Sequence, residues 1–198
     1  MAYPIQCQCG NVQGGIDESA SINQVTRYCQ DCQAFAHFLG RRHEMLDHQG
    51  GTEIVQMLPK HISFAQGTEY LACMRLTESG LLRWYANCCN TPIGGTLPSH
   101  TLSFVGVVHN CLESSTVKLD DICNSKGVNV NVKNAKGDPK PEQSGQVRTI
   151  IRNVLMILKA RIDGSYKQTP FFEVDSGMLV ATPKILSSQE YEDLMNSV

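Results

Sequence analysis

Short runs of apolar residues separated by turn residues dominate the first 110 positions of the chain. Gly50-Gly51, Pro59 and the segment 77–80 interrupt this pattern where turns are expected. The runs that predict strands cover residues 12–16, 21–28, 52–58, 61–65, 70–76, 81–86 and 102–109. About seven or eight short strands, spaced roughly 8–12 residues apart, favour a mainly β fold of packed antiparallel sheets over alternating strand–helix units.

Helical periodicity occurs in two places. Ala34, Phe35, Phe38 and Leu39 recur at helical spacing before a glycine, which predicts a short helix near 31–39. A second, amphipathic helix is predicted near 146–162 and ends before Gly164. Its apolar positions share one face: Val147, Ile150, Ile151, Val154, Leu155, Leu158 and Ile162. We expect that face to pack on the β core, with the basic residues opposite it in solvent.

The whole chain, 1–198, is predicted to form a single domain. Residues 1–110 make the β core, residues 127–145 form a loop, and residues 146–198 form a C-terminal helical extension packed on that core. A chain of this length buries roughly 70% of the surface that it exposes when unfolded. Its core therefore needs no covalent cross-links.

Charge and hydropathy exclude several classes of function. The 17 Lys and Arg residues nearly balance the 19 Asp and Glu residues, and this formal charge of −2 favours neither nucleic acid nor an anionic membrane as partner. No apolar run approaches the roughly 20 residues that span a bilayer. The first residues lack the basic and apolar regions of a signal peptide. We therefore predict a cytoplasmic protein.

Nine cysteines are unusual for such a protein, because disulfides are rare without export and thiols then serve metal binding or catalysis. Six of them form close pairs, at Cys7 and Cys9, Cys29 and Cys32, and Cys88 and Cys89. Apolar surroundings predict that Cys73 and Cys111 are buried free thiols. Cys123 has polar sequence neighbours, which indicate neither a metal or catalytic role nor a buried free thiol.

Zinc is the metal that this pattern favours, because paired cysteines from separate loops can build its tetrahedral site of nitrogen and sulfur ligands. The candidate ligands are Cys7, Cys9, Cys29, Cys32, Cys88 and Cys89. A redox dithiol at Cys29 and Cys32 is the alternative for that pair, although the expected βαβ context is lacking.

Three of these motifs resemble a known superfamily. They are CQCGNV at 7–12, CQDCQ at 29–33 and CNTPI at 89–93, and they are similar to those of the glutathione-dependent formaldehyde-activating enzyme (GFA) and centromere protein V superfamily. The longer segments DCQAFA at 31–36 and RWYANCCNTPI at 83–93 resemble an uncharacterised bacterial branch of it. The resemblance implies a zinc-binding fold of packed β sheets. It also implies carbon–sulfur bond chemistry between a thiol such as glutathione and an aldehyde.

The chain departs from the superfamily pattern at two ligand positions. Arg27 and Ala86 stand where the pattern has cysteine, and Asn90 replaces a glycine. Four thiols, Cys7, Cys9 and both of the adjacent pair, could close one site, but neighbouring side chains tend to point apart. We therefore favour Cys7, Cys9 and Cys89 with a fourth thiol from the Cys29 or Cys88 side. One zinc ion is expected, and a second, weaker site could use Cys29 and Cys32 with Asp31 or His37.

Two functions follow from this pattern. In the first, Cys29, Cys32 and the cation of Arg27 form the catalytic site of a carbon–sulfur lyase acting on an adduct of an aldehyde with glutathione or another thiol. In the alternative, zinc staples a non-catalytic binding or scaffold domain. The expected partner is a small-molecule thiol or aldehyde adduct, with no nucleic acid and no membrane.

Overall fold

The computed structural model of the chain describes residues 2–112, 127–143 and 145–198. Cys123 lies outside these ranges. The strands are β1 (Ala2–Gln6), β2 (Gln13–Asp17), β3 (Asn23–Arg27), β4 (Thr52–Met57), β5 (Ile62–Gln66), β6 (Leu71–Arg75), β7 (Leu82–Ala86), β8 (Thr91–Thr96), β9 (Val105–Val108), β10 (Val128–Val130) and β11 (Pro183–Ile185). The helices are α1 (Gln30–Phe38), α2 (Arg42–Met45), α3 (Gln146–Ile162) and α4 (Ser188–Asn196).

The strands form two sheets, as the mainly β prediction requires. Strands β1, β2 and β5 make a small antiparallel sheet in the order β1-β2-β5. The others make an eight-stranded sheet in the order β10-β3-β4-β9-β8-β7-β6-β11. The six inner strands are antiparallel, whereas β10 and β11 pair in parallel at the two edges. The large sheet is therefore mixed, since both edge strands come from the second half of the chain.

The large sheet is covered on both faces. One face packs against the small sheet through Ile5, Ile16, Met57, Trp84 and other buried residues of a shared apolar cluster. A second apolar cluster on the other face joins it to α1 and α4. Because side chains alternate along a strand, Trp84 belongs to the first layer and its neighbour Arg83 lines a cavity in the second.

Helix α1 confirms the short helix predicted near 31–39. Its residues Ala34, Phe35 and Ala36 are buried in the helical layer. Helix α4 was not predicted, although the sequence contains a capping box at its start. The Ser187 side chain accepts from the Glu190 amide, and the Glu190 carboxylate accepts from the Ser187 amide. The predicted loop 127–145 includes the edge strand β10.

Helix α3 has the predicted bounds, but the prediction of its buried face was wrong. Its apolar residues are exposed, from Val154 at 49% to Ile162 at 87%. The opposite side contacts the protein: Ala160 is fully buried, and Asn153 bridges Asn23 and Gln56 of the large sheet by hydrogen bonds of 2.9 and 2.7 Å. Periodicity shows which residues share a helix face, but it does not show which face packs against the rest of the protein. Within the described ranges, none of the helices combines the length and the hydropathy that a membrane span requires.

Substitutions at two consecutive glycines of β8 can test how closely β8 approaches β9. A Cβ atom on Gly94 would lie 2.6 Å from the carbonyl oxygen of Gly106, whereas one on Gly95 would have only an ordinary contact at 3.5 Å. We expect Gly94→Ala to lower the free energy of unfolding by about 1–3 kcal/mol, as overpacking does. Gly95→Ala, the matched control, should change it by less than about 0.5 kcal/mol. Urea unfolding measures both, and equal losses would contradict this packing.

Candidate metal centre

The first two cysteines lie in the turn between β1 and β2 of the small sheet. Cys7 directly follows β1 and is 1% exposed, and Cys9 is exposed two residues later. Gly10 adopts a φ of +80°, in the left-handed region that glycine enters without strain. The Cys7 amide donates to the Val12 carbonyl at 3.0 Å, and the Gly10 amide donates to the Cys7 carbonyl at 2.9 Å. This tight turn brings both sulfur atoms to one side.

The other two cysteines lie in the turn between β7 and β8 of the large sheet. Asn90 has a φ of +55°, a conformation that asparagine tolerates better than most residues, and it stands where the resembled motif has glycine. The Cys89 amide donates to the Ala86 carbonyl at 3.3 Å. In this turn the two adjacent cysteines direct their sulfurs to one point, so the expectation that neighbouring side chains would diverge was wrong.

The sulfur atoms of Cys7, Cys9, Cys88 and Cys89 all lie within 4.8 Å of one another. Cys7 is 3.5 Å from Cys9 and 3.9 Å from Cys88, and Cys88 is 3.3 Å from Cys9 and 3.8 Å from Cys89. A tetrahedral ion with metal–sulfur bonds of about 2.3 Å places its sulfurs about 3.8 Å apart. The cluster therefore fits a single metal ion held by four thiolates.

Hydrogen bonds to the cysteine sulfurs and burial determine which of the thiols favour the negatively charged thiolate form. The Val12 amide donates to the Cys7 sulfur at 3.2 Å. Burial raises the pKa of Cys7, and burial together with the neighbouring thiols raises that of Cys88. Burial also acts to raise the pKa of Cys89, but hydrogen bonds, first from the Thr91 side chain, lower it to about 6. The Cys89 thiolate is thus favoured without metal, and a bound cation would favour the charged forms of Cys7 and Cys88.

Thr91 was missed by sequence reasoning, and it supports a cysteine of the cluster by hydrogen bonding. Its hydroxyl oxygen accepts from the Gln8 amide at 2.9 Å and lies 3.0 Å from the Cys89 sulfur. Since that oxygen accepts from Gln8, its own hydrogen is free to donate to the sulfur. Thr91 therefore connects the two cysteine turns. The only signal in the sequence is its place two residues after Cys89.

Arg41 was also missed, because it lies far from the cysteines in sequence. Its guanidinium donates to the Cys89 carbonyl and pairs with Glu44 at 2.8 Å. The Glu44 carbonyl in turn accepts from the Asn110 amide group at 2.8 Å. These contacts tie the second cysteine turn to α2.

The remaining candidates lie elsewhere. Cys29 and Cys32 are bonded to each other at the start of α1 and are not part of the four-sulfur cluster. Arg27 and Cys32 line a cavity in the helical layer together with Arg83. Asp31 pairs with Arg83 at 3.9 Å, and His37 lies 3.1 Å from the Ser197 hydroxyl, so neither joins a metal cluster within the described ranges.

Cys73 and Cys111 are each 2% exposed, which confirms that they are buried free thiols. Burial raises the pKa of each to about 12. Both thiols therefore stay protonated and unreactive at neutral pH.

Comparison with known proteins identifies a family but no activity. The family described as "Family of unknown function (DUF6151)" matches residues 1–173. No curated protein matches the chain. A crystal structure of a Rhodobacter sphaeroides protein is similar at 15% identity with a TM-score of 0.39, over 63% of this chain and 97% of that one.

Thr91 offers a test of the hydrogen bond to Cys89. We expect Thr91→Val, which keeps the side-chain shape, to lower metal affinity by about 10–100-fold, the usual effect of losing a group that orients a ligand. The matched control is Thr96→Val in the same strand, which removes the hydrogen bond that Trp84 donates at 3.0 Å and leaves the cysteines untouched. Competition with a chromophoric chelator measures both. Equal affinities of the two variants would contradict the role of Thr91.

Proposed function

This chain belongs to the DUF6151 family of proteins of unknown function, and we propose from the geometry of its own residues that the four-cysteine centre binds one Zn²⁺ as a structural ion. The observation that carries this proposal is the set of sulfur–sulfur distances, four of which lie between 3.3 and 3.9 Å and all of which are within 4.8 Å. Four thiolates complete the tetrahedron that zinc prefers and leave no position for water or substrate. A closed site of this kind is structural.

The position of the centre supports the same role. Cys7 and Cys9 belong to the β1–β2 turn of the small sheet, and Cys88 and Cys89 to the β7–β8 turn of the large sheet. An ion held by all four joins the two sheets at one end of their shared apolar layer. Structural zinc sites contribute an apparent binding free energy of about 10–16 kcal/mol, which is large compared with the stability of most domains.

Metal analysis tests the structural zinc site. We expect the purified protein to hold one zinc ion per chain, with four sulfur neighbours in X-ray absorption. Cys9→Ser should abolish tight binding, because it removes one of the four thiolates. Cys29→Ser is the matched control and should keep its zinc, since Cys29 lies outside the cluster. Three sulfurs with one light atom would indicate an open position and refute a closed site.

A second candidate function is the carbon–sulfur lyase activity that the GFA resemblance implies. It is supported by the cavity of about 40 Å³ where Cys32 lies with Arg27 and Arg83, which has room for the reacting end of a substrate but not for a whole glutathione molecule. We propose that this site, and not the four-cysteine centre, would hold the reacting end of the adduct of an aldehyde with glutathione or a similar thiol. The two guanidiniums would attract the carboxylates of such a thiol. Bond formation then joins the thiol sulfur to the carbonyl carbon, and the thiol proton passes to the carbonyl oxygen.

Calorimetric titration with glutathione tests the lyase proposal. We expect binding in the millimolar range or tighter, weakened about tenfold by Arg27→Gln, because one charge-assisted contact is lost. Arg75→Gln is the matched control: it removes the same charge from a residue outside the cavity, whose guanidinium donates to the Gly80 carbonyl. No binding of glutathione at millimolar concentration would exclude this activity.

A further inference from the structure

Cys29 and Cys32 form a second sulfur site that is independent of the four-cysteine centre. Their Cα atoms lie 5.3 Å apart, within the range of native disulfides, and their sulfurs are bonded. No other cysteine of the described ranges joins them, because the remaining paired cysteines form the metal cluster. A pair that can be bonded or free is able to store two electrons.

The two cysteines differ in access. Cys29 is half-buried and precedes α1, whereas Cys32 is 6% exposed in its first turn. Cys29 is therefore the more accessible of the two to an outside molecule. This is the asymmetry that dithiol–disulfide exchange uses, with an accessible thiol that attacks and a shielded thiol that completes the reaction.

The position at the helix start stabilises a thiolate. Cys29 is the N-cap residue of α1, and its carbonyl accepts from the amides of Cys32 at 2.9 Å and Gln33 at 3.2 Å. The side chain of Cys29 makes no capping hydrogen bond. The first amides of the nine-residue helix and its dipole favour negative charge at this end. Such placement lowers the pKa of cysteines in general.

The surrounding charge acts in the same direction. Arg27 and Arg83 share the cavity with Cys32, and Arg83 is only 7% exposed. Burial lowers the pKa of both guanidiniums, and Asp31 partly offsets this effect. Among the described residues, the ion pair of this group is Arg83 with Asp31, whose side chain is 56% exposed. One buried and one half-buried cation against one half-exposed carboxylate leave an excess of positive charge beside Cys32.

We propose that Cys29 and Cys32 form a redox-active dithiol that exchanges two electrons with low-molecular-weight disulfides, with Cys29 as the attacking thiol and Cys32 as the resolving thiol. The Cys29 thiolate attacks one sulfur of the disulfide R–S–S–R, that bond breaks, and RS⁻ leaves. The Cys32 thiolate then attacks the Cys29 sulfur and releases the second RS⁻. The substrate gains two electrons and takes up the two protons that the cysteines lost, and the protein disulfide forms. An external thiol reverses the reaction.

This inference goes beyond both proposed functions and depends on neither of them. The GFA resemblance assigns Cys29 and Cys32 as metal ligands, whereas a dithiol couple needs them free of metal. Zinc content and thiol exchange therefore report separately on the two sites.

The test uses the full-length, zinc-loaded protein and bis(2-hydroxyethyl) disulfide, a neutral probe that the arginines do not attract. We expect Cys32→Ser to accumulate a mixed disulfide at Cys29, seen by mass spectrometry, and Cys29→Ser to form none at Cys32. The wild-type pair should oxidise and reduce reversibly in dithiothreitol buffers with unchanged zinc content. Loss of zinc from Cys29→Ser, or no mixed disulfide in Cys32→Ser, would overturn the proposal.

Two charge variants made in the Cys32→Ser background sharpen the test. Arg27→Gln should slow exchange at neutral pH about tenfold, since a rise of one unit in the pKa of a thiol lowers its thiolate fraction tenfold. Asp31→Asn should accelerate it, because the offsetting negative charge is removed. Asp31 is half exposed, so this near-isosteric change leaves the fold intact and keeps the test valid if Arg27→Gln misfolds. Equal rates in all three proteins would overturn the role of the arginines.

Discussion

The convergence of four cysteine sulfurs between two turns is the constraint on which the rest of the structure depends. The small sheet has three strands, and sheets of this size need a packed face to be stable. One face of the small sheet packs on the large sheet through an apolar cluster that includes Ile5, Ile16 and Trp84. The cysteine cluster adds a fixed point at the end of that layer, where the turns would otherwise be free to fray. Thr91 and Arg41 hold the second of these turns in place.

The large sheet separates two groups of cysteines. The four-cysteine cluster lies with the layer between the sheets, and Cys32 lies in the helical layer on the other face. The cluster could hold a metal ion, whereas Cys29 and Cys32 are bonded to each other. The buried charge of Arg83 and the half-buried charge of Arg27 carry a desolvation cost, which the ion pair of Arg83 with the half-exposed Asp31 offsets only in part. A negatively charged thiolate or substrate beside them would offset it.

Polar groups hold helix α3 on the large sheet. Asn23 and Gln56 lie on the large sheet and need hydrogen-bond partners. Asn153 supplies both, and the small side chain of Ala160 lets the helix approach closely. The apolar face, from Val147 to Ile162, is left outside. An unpartnered buried amide costs about 1–3 kcal/mol, so the hydrogen bonds of Asn153 stabilise the docking of this face.

The sequence by itself determined the mainly β class, the bounds of α3, the position of α1 and the identity of all four clustered cysteines among its six candidates. These features follow from local periodicity and from the chemistry of paired thiols. Only the tertiary structure decided which cysteines meet, because a turn with Asn90 in a left-handed conformation aims Cys88 and Cys89 together. It also decided the parallel edge strands, the docked face of α3 and the supporting roles of Thr91 and Arg41. Each of these depends on contacts between residues distant in sequence, which no local pattern records.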